Sequence, residues 1–174
     1  MFLSIKQLEI QKIEFDESYA PGEVEFGETG VKQKGALSTQ GEARLLPNSG
    51  GQIRIQGSYR VDLEAECDRC LGPAGFHLDE KFDLFYHPSS DEPEGDEVEL
   101  DSGGAEIGFY ESDGLELKDV VTEQVLLGLP MQLVCRDDCK GICPVCGSNR
   151  NERPCSCEVK PVDDRWGALR NFRV

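Results

Sequence analysis

Between Gln52 and Ala65 the chain alternates with a period of two. Ile53, Ile55, Gly57, Tyr59, Val61, Leu63 and Ala65 share one side, and Arg54, Gln56, Ser58, Arg60, Asp62, Glu64 and Glu66 the other. That pattern is a half-buried antiparallel strand, with one face on a core and one in water. A strand over Lys34–Leu46 precedes it across Asn48-Ser49-Gly50-Gly51, a hairpin-type turn. After a second turn the chain returns along Phe76–Tyr86, and Glu106–Glu111 reads as a further strand. Residues 2–15 alternate imperfectly through Phe2, Ile5, Leu8, Ile10 and Ile13, which predicts one or two strands or a short helix around Ser4–Leu8. Residues 16–30, rich in Asp, Glu, Gly and Pro, read as a loop.

The period changes at Leu115–Leu129. There Leu117, Val120, Val121, Gln124, Val125 and Leu127–Leu129 fit an amphipathic helix, which Gly128 and Pro130 help to end. Residues 88–104 form an acidic, Pro/Gly/Ser-rich excursion expected to be mobile. Asp163–Phe172, with Trp166 and Leu169, reads as a short docking helix. The fold class is therefore α+β: an antiparallel strand-rich body with one main amphipathic helix, a C-terminal cysteine-rich zinc-binding segment and a short terminal helix.

Charge divides this chain of 174 residues unevenly. Its formal net charge is −16; residues 1–134 carry 28 acidic and 10 basic side chains, and residues 135–174 carry 6 acidic and 8 basic. We read 1–134 as an acidic β-rich body and 135–174 as a cysteine-rich metal-binding segment and tail packed on it. The tail, through Arg136, Lys140, Arg150, Arg153 and Lys160, is the part able to approach nucleic acid, and the body suits a basic partner such as a ribosomal protein. No stretch reaches the roughly 18 apolar residues of a membrane span. The N-terminus lacks the apolar run of a signal peptide, so a reducing cytoplasmic setting is expected.

Six of the eight cysteines lie between Cys135 and Cys157. Bunched thiols in a chain with no secretory signal point to metal ligation over disulfides. Cys143-Pro144-Val145-Cys146-Gly147 carries the firmest signal: two thiolates on a tight turn can grip one ion, and Gly147 can take the positive φ that closes the turn. Spacing alone does not choose the other two ligands. Cys155 and Cys157 are favoured, with Cys139 replacing one of them as the next choice, and Cys135 also competes. Zn²⁺ in a structural role is the expected ion, since four thiolates leave no position open for substrate. Cys67-x2-Cys70 is a separate pair. Its plainer reading is two reduced thiols packed at a turn, unless the fold brings them to the tail cysteines or to a second copy of the chain.

Catalytic signatures are lacking. His77 and His87 lie in or at the end of a strand away from any nucleophile, and His77 reads as a surface residue. Asp137-Asp138 and Asp163-Asp164 read as solvated charges, and no phosphate-cradling loop or nucleophile elbow is present. A thiol redox protein would want a βαβ context that the pattern does not supply. A zinc-ribbon protein-interaction module is the other alternative.

Three separated elements occur in order: Cys67-Asp68-Arg69-Cys70-Leu71; the helix ending Leu129-Pro130-Met131; and Cys139-Lys140-Gly141-Ile142-Cys143-Pro144-Val145-Cys146-Gly147 followed by Cys155-Ser156-Cys157. Together they resemble the YceD family, the large ribosomal RNA subunit accumulation proteins, over roughly residues 50–170. The resemblance implies a bacterial or plastid-type cytosolic factor without catalytic activity, needed for normal accumulation of large-subunit (23S) rRNA. With the charge asymmetry between body and tail, the expectation is that such a factor works by binding a ribosomal protein, rRNA or both.

Overall fold

The computed structural model describes residues 1–89, 107–111 and 113–158. A long hairpin forms the spine of the molecule. Strand β5 (Ile53–Glu66) runs antiparallel to β6 (Pro73–Pro88), in register from Ile53↔Tyr86 to Glu66↔Pro73. The period-two pattern of β5 is realised without a slip: Ile53, Ile55, Tyr59, Val61, Leu63 and Ala65 are buried, while Arg60, Asp62, Glu64 and Glu66 are exposed. On the other side of β5 lie β4 (Leu37–Leu45) and the short β3 (Lys32–Gln33), and β2 (Ile13–Tyr19) pairs with β4. Asn48, Gly50 and Gly51 take positive φ in the β4–β5 turn, as the Asn-Ser-Gly-Gly sequence requires.

Inside the sheet two glycines face each other at Gly41↔Gly57 because two rings occupy that space. A Cβ on Gly41 would stand 2.7 Å from Phe15 Cζ, and one on Gly57 would stand 2.8 Å from Phe82 Cζ. Helix α2 (Leu117–Leu127) contributes Leu117, Val120, Val121 and Val125 to the same core. Tyr59 fastens it, its hydroxyl donating to the Gln124 carbonyl at 2.9 Å. The outer face is laced with cross-strand pairs: Arg54 with Asp83, Arg60 with Asp79, and His77 Nδ1 with Asp62 at 2.8 Å. His77 thus stands on the solvent side, paired to a carboxylate.

Several expectations need correction. The segment from Asp16 to Tyr19 is strand, not loop, because Phe15 and Tyr19 continue the buried side of β2 while Asp16 and Ser18 face water. The main sheet is mixed: β7 (Ile107–Tyr110) pairs parallel to β6, from Phe85↔Ile107 to Pro88↔Tyr110. A parallel neighbour needs a connection of about a dozen residues or more, and residues 89–106 supply that length. Helix α2 begins at Leu117, later than expected. Gly114–Glu116 forms β8, which pairs with β1 (Phe2–Ser4) in a separate two-stranded sheet beside the one-turn helix α1 (Ile5–Leu8). The terminal helix expected at Asp163–Phe172 and residues 90–104 of the acidic excursion lie outside the described residues.

Candidate metal centres

The eight cysteines fall into two groups of four. Cys67, Cys70, Cys135 and Cys139 form one, here called the inner centre; Cys143, Cys146, Cys155 and Cys157 form the outer centre. Within each group the sulfurs all lie within 4.8 Å of one another. Cys67 and Cys70 are therefore not an isolated reduced pair at a turn. The turn that carries them is the tip of the β5–β6 hairpin, and it meets the segment that follows α2. Asp68 N donates to Leu133 O at 2.8 Å, and Leu133 N donates to Asp68 Oδ2 at 2.7 Å. Arg69 O accepts from Ile142 N at 2.8 Å, and the Arg69 guanidinium donates to the carbonyls of Asp137 and Cys139. These bonds bring thiols 65 or more residues apart in sequence to one point.

The two Cys-x2-Cys turns have the same backbone construction. In the first, Cys67 N–H donates to Gly72 O at 2.7 Å and Cys67 O accepts from Leu71 N at 2.9 Å. In the second, Cys143 N–H donates to Ser148 O at 2.9 Å and Cys143 O accepts from Gly147 N at 2.8 Å. Each turn places the residue after its second cysteine in the left-handed region, Leu71 at φ 59° and Gly147 at φ 71°. Glycine there is expected. Leucine there is strained, and its side chain is 61% exposed.

Sulfur separations test whether the donors suit a metal. Cys67 Sγ lies 3.8 Å from Cys139 Sγ, and Cys70 Sγ lies 3.7 Å from Cys135 Sγ. Four thiolates at a Zn–S distance of ~2.3 Å span tetrahedral edges of about 3.8 Å. The donor set fits a divalent, thiophilic ion, and both groups are placed to hold one. Cys67, Cys70, Cys139 and Cys143 are buried, whereas Cys135 and Cys146 are exposed and Cys155 and Cys157 half-buried.

Surrounding dipoles divide the thiols into ready and reluctant acids. The Cys135 backbone, above all, draws Cys67 down to about 6. Cys135, although the residue as a whole is exposed, is pushed up to about 12 by desolvation of its sulfur against the other thiols and by proton sharing with Cys139 and Cys70. The Ser148 hydroxyl, 3.0 Å from Cys146 Sγ, draws that thiol down to about 6. Cys157 is pushed up to about 12, first by sharing a proton with Cys146 and then by burial. For Cys139, burial acts upward but is outweighed by donors including the Asn151 amide, so the net shift is downward. Ionising all four thiols of a group demands compensating positive charge. A bound divalent ion would supply it.

Of the expected ligands, Cys143, Cys146, Cys155 and Cys157 lie together, and Cys135 and Cys139 join the hairpin pair instead of competing with them. Sequence reasoning preferred Cys67 and Cys70 as a reduced pair and kept their meeting with the tail cysteines only as an alternative, and it missed Asn151 and Ser148, whose side chains reach the sulfurs. A Cys-x2-Cys at a hairpin tip was the available signal for that meeting; an Asn or Ser in a cysteine-rich loop is too common to signal the other two.

Comparison with known proteins places these features in a family. The family model for "Large ribosomal RNA subunit accumulation protein YceD" matches residues 55–173, a span that contains all eight cysteines. Mycobacterium tuberculosis Rv2926c, an uncharacterized protein, is 30% identical over 118 residues, covering 67% of this chain and 54% of its own length. The chain thus spans about half the length of the first such relatives. The chloroplastic large ribosomal RNA subunit accumulation protein YCED homolog 1 of Arabidopsis thaliana is 26% identical, covering 70% of this chain and 44% of its own. Uncharacterized YlbN of Bacillus subtilis is 24% identical over 95% of this chain and 90% of its own. No solved structure matches the chain. With the family match running from the spine hairpin through both cysteine groups, the chain belongs to the YceD family of large ribosomal RNA subunit accumulation proteins.

Proposed function

We propose that this protein is a non-enzymatic ribosome-biogenesis factor of the cytoplasm. It supports accumulation of large-subunit (23S) rRNA by binding a ribosomal protein, rRNA or both, and its cysteines hold two structural zinc ions. The observation that carries this reading is the family match over residues 55–173, together with the rRNA-accumulation names of the plant relatives. A structural role follows from the donor count, since four thiolates leave no coordination position for substrate or water.

Metal charge alters the choice of partner. A divalent ion with four thiolates carries a net negative charge, so loading both centres moves the formal net charge of the chain from −16 to about −20. The positive balance of residues 135–174, counted with neutral thiols, does not survive loading. Around the centres Arg69, Arg136, Lys140, Arg150 and Arg153 are matched by Asp68, Asp137, Asp138, Glu152 and Glu158. Arg136 is engaged with Asp138 and Asn151, and Arg69 with backbone carbonyls; Lys160 lies outside the described residues. A basic ribosomal protein is therefore the favoured direct partner, with rRNA affected through it.

Depletion in the host tests the function. Loss of the protein should lower 23S relative to 16S rRNA and reduce the large-subunit peak on a sucrose gradient, with rescue by the intact gene. Unchanged rRNA ratios and gradients would overturn it. Pull-down of the zinc-loaded chain tests the partner: a ribosomal protein retained after nuclease treatment is expected. Recovery that depends on RNA would reverse the preference for protein.

A further inference from the structure

Asn151 lies between Cys146 and Cys155 on the loop that the outer centre closes, yet its side chain serves the inner one. Nδ2 donates to Cys139 Sγ at 3.3 Å. Oδ1 accepts from Lys140 N and from Arg136 Nη2, each at 2.9 Å. The loop itself is pinned across the short Cys139–Cys143 link. Arg150 N donates to Gly141 O at 2.9 Å, Ile142 and Asn149 form a β-bridge, and Asn149 Oδ1 accepts from Asn151 N at 3.0 Å. One half-buried amide thus bonds to a ligand sulfur of the inner centre, to the backbone beside that ligand, and to an arginine on the same segment.

We propose that the two centres are coupled through Asn151: occupancy of the outer centre holds this amide against Cys139 and thereby raises the affinity of the inner centre for zinc. The inference rests on the reading of both clusters as zinc centres. Its physical basis is the chemistry of outer-shell donors. An N–H aimed at a thiolate disperses part of its charge and fixes the rotamer that points the sulfur at the metal, and loss of such a donor lowers metal affinity by ~10–100-fold. Without metal in the outer centre, the loop from Gly147 to Pro154 is no longer closed at its Cys155/Cys157 end, so ordering Asn151 costs chain entropy. Linkage makes the effect mutual: the inner ion must raise outer affinity by the same factor. Asn151 is a positioning residue in this scheme, not a ligand.

The test titrates zinc against a chromophoric chelator in the full-length chain. Alkylation and mass spectrometry then report protection of Cys67, Cys70, Cys135 and Cys139 separately from the outer four. Asn151→Ala should leave two zinc ions at saturation but weaken the inner centre by ~10–100-fold. Cys155→Ser/Cys157→Ser should weaken the inner centre by a similar factor, and adding Asn151→Ala to that pair should change it little further. Asn151→Asp, which keeps the acceptor but sets a carboxylate beside the sulfur, should weaken it at least as much as alanine. If the cysteine double variant loses its tail structure, the reciprocal reading decides: Asn151→Ala should also weaken the outer centre, and an unchanged outer affinity would overturn the coupling. An unchanged inner affinity in Asn151→Ala and Asn151→Asp would overturn the coupling. So would an Asn151→Ala effect of equal size with and without an intact outer centre. A wild-type chain that takes up no zinc would instead defeat the metal-centre reading itself; two ions bound with Asn151→Ala silent defeats only the coupling.

Discussion

The two Cys-x2-Cys turns differ at the residue of positive φ, which permits a reciprocal experiment. A side chain with a Cβ in the left-handed region costs about 1–2 kcal/mol. Leu71 bears that cost at φ 59° while 61% exposed, so little burial offsets it. Leu71→Gly removes the strain but adds freedom to the unfolded chain worth about 0.5–1 kcal/mol. The net expectation is a gain of about 0.5–1 kcal/mol, seen as roughly two- to fivefold tighter zinc binding at the inner centre. Gly147→Leu is the mirror case. A Cβ there meets nothing within 4 Å, so the substitution adds backbone strain without a clash. It should weaken the outer centre by a comparable two- to fivefold. Chelator competition on both single variants and on the double variant measures the effects. Weaker inner binding in Leu71→Gly would refute the reasoning, since it would mean that the leucine side chain contributes more to the turn than its exposure and φ indicate.

Chelating the metal should uncouple the two parts of the chain. None of the cysteines belongs to the main hydrophobic core, so strand signal in the far ultraviolet should persist while residues 133–158 lose amide protection in hydrogen exchange. Gly41→Ala should destabilise the sheet by about 3 kcal/mol in urea unfolding, because its Cβ would meet backbone atoms of β5 as well as Phe15. A pH effect follows from the Arg54–Asp83 pair. Arg54 holds the Asp83 carboxyl below its ordinary value, so its stabilisation is present above the unfolded aspartate range and is lost as pH falls through the folded value. Asp83→Asn should therefore flatten the acid side of the stability profile, by no more than about 1 kcal/mol for so exposed a pair.

How much the sequence disclosed depended on how local the cause was. The alternation of β5 and the turn at Asn48–Gly51 needed only neighbouring residues, and both appear where they were read. Gly147 was legible for the same reason: a tight thiolate turn demands a residue tolerant of positive φ. The meeting of Cys67 and Cys70 with Cys135 and Cys139 depends on the length of the β5–β6 hairpin and on Arg69 and Asp68 gripping the segment after α2. Spacing cannot encode such a long-range register. The direction of β7 was hidden because four apolar-leaning residues look alike in a parallel and an antiparallel strand. Counting charges without a metal gave the tail a positive sign that thiolates holding metal would remove.

Metal content tests the central claim most directly. Native mass spectrometry of the chain purified under reducing conditions, with thiol counting before and after denaturation in chelator, should give two zinc ions per chain. All eight cysteines should be shielded in the native state and free after metal removal. One ion per chain, or none with discrete disulfides among these cysteines, would contradict the account.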